Sequence, residues 1–339
     1  MKYLKTYNQL NEGLRDKMVG KSEDDVLRDL KKIDPLERIE KIKEFNLGKK
    51  FYPSDEEIIK YLEKFEDNYK FRTLIDLGVD LEYLRNEDGL IICDDDLSFF
   101  SISIEKLPDN LVVNGFLDVS DNKLTELPKG LVCKGISFDN NFVKYFPDDI
   151  VIDGDIYCSN NELESLPDNL VVNGNFKCEQ NNIKKLPDNL VVKGDFYAIE
   201  NELESIPSTI KVSGYISVSN NYIKEIPEGL EINSGLYARE NQIGKIPDNL
   251  TINDNMNLSN NKLKSLPDNL TVKGNLYLIN NEIEKLPNNL YVGKDLALMN
   301  NNISELPEDL IVNGNLYISE NPIVDKIIDK PKGVYRIKK

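Results

Sequence analysis

From residue 107 onward the chain repeats itself. An apolar residue followed by proline recurs at 107, 127, 146, 166, 186, 206, 226, 246, 266, 286 and 306. The spacing is 20 residues throughout, except for one unit of 19 from Leu127 to Tyr145. A period this short and this regular cannot build a separate core for each unit. Each turn must bury its apolar side against its neighbours, so the chain is expected to form a solenoid. In a representative unit, Leu266 to Lys285, apolar residues stand at unit positions 1, 5, 7, 11, 13 and 18. Positions 5/7 and 11/13 alternate with polar residues, which is the period of a strand and not of a helix.

The string Leu276, Leu278, Asn281, Ile283, Leu286, Pro287 resembles the leucine-rich repeat in its short bacterial 20-residue form. The resemblance recurs eleven times and covers residues 107–325. It implies an α/β solenoid, a leucine-rich-repeat horseshoe with a parallel β-sheet on the concave side. The L-x-V-x-G segment at positions 5 to 9 departs from the longer family pattern and points to short strands on the convex side. Similar repeats occur in phage and bacterial proteins.

Asparagine holds position 16 in every unit, from Asn122 and Asn141 through Asn161, Asn181 and on to Asn321. A side chain of this type, repeated on the inside of a solenoid, is expected to satisfy backbone groups where each strand turns. A buried orphan there would cost about 1–3 kcal/mol. Amides alone make poor cation sites, so no metal is assigned to this ladder. Proline at position 2 cannot join a hydrogen-bonded ladder and is expected to end each strand. Glycine at position 9, as in Gly115, Gly154 and Gly274, is expected where a side chain would obstruct a turn. Cys133, Cys158 and Cys178 fall at inward positions 7 and 13 and read as buried small hydrophobes.

The flanks differ in kind. Residues 89–106 read as an N-terminal cap coil and 326–339 as a C-terminal cap whose Lys332, Arg336, Lys338 and Lys339 shield the last edge. Residues 21–88 read as a small all-α domain. Its helical stripes include Leu36, Ile39, Ile42 and Phe45, then Ile58, Tyr61, Leu62 and Phe65. Residues 1–20 read as an amphipathic helix. There Lys5-Thr6-Tyr7 followed by Leu10, Asn11 and Glu12 resembles the capsid-targeting leader of internal proteins in large contractile-tailed bacteriophages. That resemblance implies proteolytic processing after Glu12; an ordinary N-terminal helix is the competing reading.

The 339 residues carry no histidine and a net charge of −17. Without histidine there is no Ser-His-Asp or Cys-His nucleophile and no histidine-ligated zinc. The acidic balance argues against a nucleic-acid partner. No apolar stretch suits a membrane span or a signal peptide, and the four cysteines fit an intracellular setting, a bacterial host cytoplasm or a virion interior. No cofactor is expected, and a small-molecule ligand is disfavoured. The expectation is a non-enzymatic protein-binding scaffold. The alternatives are a packaged or structural virion protein directed by its N-terminus, and an effector-type substrate-recognition module.

Position 12, between the two inward residues of the main strand, should face the concave side. It reads Asp118, Ser137, Tyr157, Lys177, Tyr197, Ser217, Tyr237, Asn257, Tyr277, Ala297, Tyr317. Tyrosine therefore occupies every second unit five times over, at a spacing of about 9.6 Å. Position 14 adds Glu179, Ile199, Arg239, Ile279 and Met299. Two readings stay open for these residues. The rings fill the curved face over their small neighbours, or they form a contact surface rigid enough to bind a protein, with carbohydrate stacking a lesser use.

Overall fold

The computed structural model describes residues 84–87, 90–147, 150–324 and 336–338. The chain divides into two compact units, Met1–Ser137 with Pro147–Ile152, and Phe138–Phe146 with Asp153–Lys339.

In the second unit the repeat becomes a parallel β-solenoid. Strands Ile156–Tyr157, Phe176–Lys177, Phe196–Tyr197, Ile216–Ser217, Leu236–Tyr237, Met256–Asn257, Leu276–Tyr277, Leu296–Ala297 and Asn315–Tyr317 pair in that order, each in parallel with the next. This front sheet is formed by unit positions 11 and 12. A second, back ladder forms at positions 6 and 7. It has three strands (Val171–Val172, Val191–Val192, Lys211–Val212) and then four (Thr251–Ile252, Thr271–Val272, Tyr291–Val292, Ile311–Val312). Ile232, which would join the two sets, makes only an isolated bridge to Val212. The short strands expected opposite the main sheet are therefore present. They include one residue of the expected inward pair: position 7 is buried, and position 6 faces outward.

The core is the repeat itself. Position 11 (Phe176, Phe196, Ile216, Leu236), position 13 (Cys178, Ala198, Val218) and position 18 (Ile183, Leu203, Ile223) are fully buried. Phe176 and Phe196 stack with ring centroids 5.6 Å apart.

That asparagine is fully engaged with backbone. Asn221 Nδ2 donates to Ala198 O of the preceding turn (2.9 Å), and to Val218 O and Ser219 O of its own turn (3.1 Å each). Its Oδ1 accepts from Leu203 N at 2.9 Å. The same pattern recurs at Asn161, Asn181, Asn241, Asn261, Asn281, Asn301 and Asn321. The residue before each of these asparagines is left-handed: Asn160, Gln180, Glu200, Asn220, Glu240, Asn260, Asn280, Asn300 and Glu320 have φ between 51° and 58°. The chain must reverse within one residue so that the following asparagine points inward, and αL is the local conformation that does this.

The first unit is built differently. Leu84–Glu87 and Leu90–Cys93 form an antiparallel hairpin, and Leu90–Cys93 pairs in parallel with Leu111–Asp118. The expected all-α stretch 21–88 is thus corrected at its end. Residues 84–87 are strand, and Asp88-Gly89 is the dipeptide that favours a two-residue hairpin connection. The rest of that stretch lies outside the described residues, as do the amphipathic helix at 1–20 and most of the C-terminal cap.

Leu111–Asp118 and Val132–Ser137 run as continuous strands through positions that form two separate strands elsewhere. The 19-residue unit explains this. Gly135 pairs opposite Phe116, at position 10, so Lys134 alone stands against Asn114 and Gly115, and the pairing slips between Val113 and Phe116 to absorb the missing residue. At the other end, Arg336–Lys338 adds in parallel to Asn315–Tyr317 and takes up the edge of the front sheet.

Candidate functional site: the tyrosine face

Because side chains of a strand alternate between its two faces, burying position 11 forces position 12 outward. The parallel register then stacks like positions. Tyr157, Lys177, Tyr197, Ser217, Tyr237, Asn257, Tyr277, Ala297 and Tyr317 are cross-strand partners in a single row. All five tyrosines are half-buried, whereas Ser217 and Ala297 between them are buried at 5% and 3% exposure. Large rings therefore alternate with small residues set lower in the sheet. One row along, Ile199, Ile279 and Met299 are half-buried and Arg239 is exposed.

The rings are held from one side. Tyr157 OH donates to Asp155 Oδ2 (2.9 Å), and Tyr197 OH to Asp195 Oδ2 (3.2 Å). Tyr237 OH accepts from Asn255 Nδ2 at 3.3 Å. Burial and the neighbouring carboxylates push the phenols of Tyr157 and Tyr197 upward, and burial with Asp295 does the same to Tyr277. All of these remain neutral hydroxyls at ordinary pH.

The residues that hold the tyrosines form a ladder that the sequence reading did not identify. Position 10 carries Asp155, Asn175, Asp195, Asn255, Asn275 and Asp295, and each side-chain oxygen accepts the backbone N–H of the next unit. The distances are 2.6 Å to Asn175 N, 2.9 Å to Asp195 N, 2.9 Å to Tyr215 N, 2.8 Å to Asn275 N, 3.1 Å to Asp295 N and 2.7 Å to Asn315 N. The position-9 glycines make room for it: a Cβ on Gly194 would stand 2.5 Å from Asn175 Oδ1 and 2.8 Å from Asn175 N. The recurrence of either Asp or Asn at this register was the available signal.

The ladder breaks at two units, where Tyr215 and Gly235 hold position 10. Tyr215 lies beside Gly235, where a Cβ would meet its Cδ1 at 2.9 Å. Its hydroxyl reaches two units onward to donate to Asp254 Oδ2 at 2.7 Å. Its ring sits 5.9 Å from that of Tyr237.

One gap between tyrosines is already filled. Lys177 Nζ lies 5.3 Å from the ring centroid of Tyr157 and 5.5 Å from that of Tyr197, so its side chain stands between two aromatic walls. Cation–π attraction favours that seat. Beside it, Glu179 has its carboxyl raised by burial, against the opposing pull of Lys177.

Cys93, Cys133, Cys158 and Cys178 are buried free thiols, and burial pushes Cys133 up to about 12 and Cys158 and Cys178 well above the ordinary thiol range. Among the described residues, no three Cys, Asp or Glu side chains converge as metal ligands. No helix among them is long and apolar enough to cross a membrane. Leu10, Asn11 and Glu12 lie outside the described residues.

No family model matches the chain, and no curated protein does. Among solved structures it is similar to the leucine-rich effector protein YopM from Yersinia pestis, at 26% identity over 67% of this chain and 60% of that one, with a TM-score of 0.41. It is similar to YopM from Yersinia enterocolitica at 24% identity and a TM-score of 0.37, with the same coverage. A leucine-rich repeat protein from Bacteroides thetaiotaomicron matches at 17% identity over 70% of this chain and 36% of that one, with a TM-score of 0.46. The chain thus spans about 60% of the length of the YopM structures it resembles.

Proposed function

We propose that this protein is a non-enzymatic scaffold that binds a protein partner on the tyrosine face of its solenoid. The observation that carries this reading is the row from Tyr157 to Tyr317. Its five rings stand in one register and are only half-buried, Tyr157, Tyr197 and Tyr237 are held by hydrogen bonds, and the half-buried apolar side chains Ile199, Ile279 and Met299 lie alongside. Rings already held by hydrogen bonds lose little entropy when a partner packs on them, which suits tyrosine to interfaces. A purely structural role accounts for the alternation of large and small residues, but not for the apolar residues at position 14, where serine is the commonest residue.

The test is simultaneous replacement of Tyr197, Tyr237 and Tyr277 by alanine, with a control carrying Lys211→Ser, Thr251→Ser and Thr271→Ser on the back ladder. The front variant should lose partner capture with its far-UV circular dichroism unchanged, and the control should retain both. Capture that survives the front variant sinks the reading.

The virion alternative rests on the N-terminal string Lys5-Thr6-Tyr7 followed by Leu10, Asn11 and Glu12. It predicts a mature N-terminus at Gly13 in particle-associated protein; an intact Met1 there would count against it.

A further inference from the structure

The spacing of the tyrosine face selects among peptide conformations. Tyrosines two strands apart repeat every ~9.6 Å along the sheet. A polyproline-II helix turns every three residues and rises about 9.3 Å in doing so. An α-helix returns to the same face at three or four residues, about 4.5–6 Å, and closely in register at seven, about 10.5 Å. Over the four intervals from Tyr157 to Tyr317, the polyproline-II mismatch accumulates to only about 1 Å, against about 4 Å for the helix. A β-strand offers the same face every two residues, about 6.7 Å, and falls out of step at once.

The gaps themselves show what enters them. Between Tyr157 and Tyr197 the chain seats its own Lys177, an aliphatic stem with a cationic head, 5.3 and 5.5 Å from the two ring centroids. The next three gaps are floored by Ser217, Asn257 and Ala297 and hold no such side chain of their own. Along one rim run the carboxylates of Asp195, Asp254 and Asp295, in a chain of net charge −17. The other rim carries Ile199, Ile279 and Met299, apolar enough to pack on proline rings, with Arg239 between them neutralised by its ion pair to Glu240.

We infer that the occupant of this face is a proline-rich segment in the polyproline-II conformation with Lys or Arg at every third position, each basic side chain entering one inter-tyrosine gap as Lys177 does. This rests on the protein-binding reading above and names the chemistry of the partner. The preformed conformation of such a segment keeps its ordering cost low.

The probe is a fluorescein-labelled (Pro-Pro-Lys)4 peptide, titrated with the full chain at physiological salt and followed by fluorescence anisotropy. The comparison peptide is (Pro-Pro-Pro-Lys)4, equal in charge but out of register. The in-register peptide should bind at least tenfold more tightly. Tyr237→Ala and Tyr277→Ala should each weaken it about tenfold with circular dichroism unchanged. Lys177→Ala, which opens the first gap, should strengthen it several-fold. Equal affinity for the two peptides, meaning attraction by charge alone, overturns the inference, and so does the absence of binding. If neither peptide binds while the triple tyrosine variant still loses partner capture, the face stands and only the ligand class falls.

Discussion

Two side-chain ladders run the length of the second unit, and only one of them is unbroken. The position-16 asparagines are between 4% and 9% exposed and recur in every turn without exception. The position-10 ladder is half-buried and gives way at Tyr215 and Gly235. Both do the same job, handing a side-chain oxygen to a backbone N–H of an adjacent turn. The difference is water. A backbone group stranded under the asparagine ladder is buried, whereas the Asp and Asn residues of position 10 are half-buried and nearer to solvent. Desolvation therefore fixes the first ladder and leaves the second open to substitution. The back ladder loosens in the same place, where Ile232 makes only a bridge.

The sharpest way to break this comparison is to truncate one member of each ladder. Asn221→Ala orphans Leu203 N and the carbonyl of Ala198, while Val218 O and Ser219 O lose one bond each but keep Asn241 Nδ2 and Glu200 N. A loss of about 2–4 kcal/mol in urea unfolding is expected, from two orphaned groups at about 1–3 kcal/mol each with partial relaxation. The substitution at the break comes next. Gly235→Ala would bring a Cβ within 2.8 Å of Asn255 O and 2.9 Å of the Tyr215 ring. Backbone cannot yield as a flexible side chain can, so a cost of about 1–3 kcal/mol is expected. Gly244→Ala is its control, since the nearest atom there is Lys262 O at an ordinary 3.7 Å. It should be neutral or stabilising by about 0.4–1 kcal/mol. Asn275→Ala removes an acceptor from Asp295 N and a donor to Asn255 Oδ1, at a cost near 1 kcal/mol. If Asn275→Ala proved as damaging as Asn221→Ala, solvent access would not be what separates the ladders.

The sequence exposes the buried ladder more clearly than the exposed one, for the same reason. Position 16 is invariant because burial forbids alternatives, so Asn122 through Asn321 are read directly from the repeat. The alternation that buries Phe196 and Ala198 fixes the outward direction of Tyr197, which is why the tyrosine row is also legible. Position 10 mixes Asp, Asn, Tyr and Gly, and no single-residue periodicity marks it. The role of Tyr215 depends on an atom of Asp254 two turns away, a contact that no local pattern encodes. Leu84–Glu87 is hidden differently. A four-residue strand between polar residues is too short to show a period, and only Asp88-Gly89 hints at the hairpin.

The left-handed residue before each asparagine offers the smallest and most specific test. At this position αL is required whatever the side chain, and it costs an ordinary L-residue roughly 1–2 kcal/mol while asparagine adopts it readily. Six of the ten such residues in the second unit are asparagine; the other four are Gln180, Glu200, Glu240 and Glu320. Where asparagines are adjacent they also bond sideways: Asn280 Nδ2 donates to Asn260 Oδ1 at 2.6 Å, and Asn300 Nδ2 to Asn280 Oδ1 at 2.8 Å. Glu320, with φ 58°, is next in that row. Glu320→Asn should relieve part of the backbone cost and extend the row by one bond, stabilising the protein by about 0.5–1 kcal/mol. The gain should appear as a higher urea midpoint with an unchanged slope. Glu320→Gln retains the longer side chain and its αL cost, so it should show no such gain. Equal stabilisation by both substitutions would trace the effect to the lost charge in an acidic chain, and not to the backbone conformation that turns each asparagine inward.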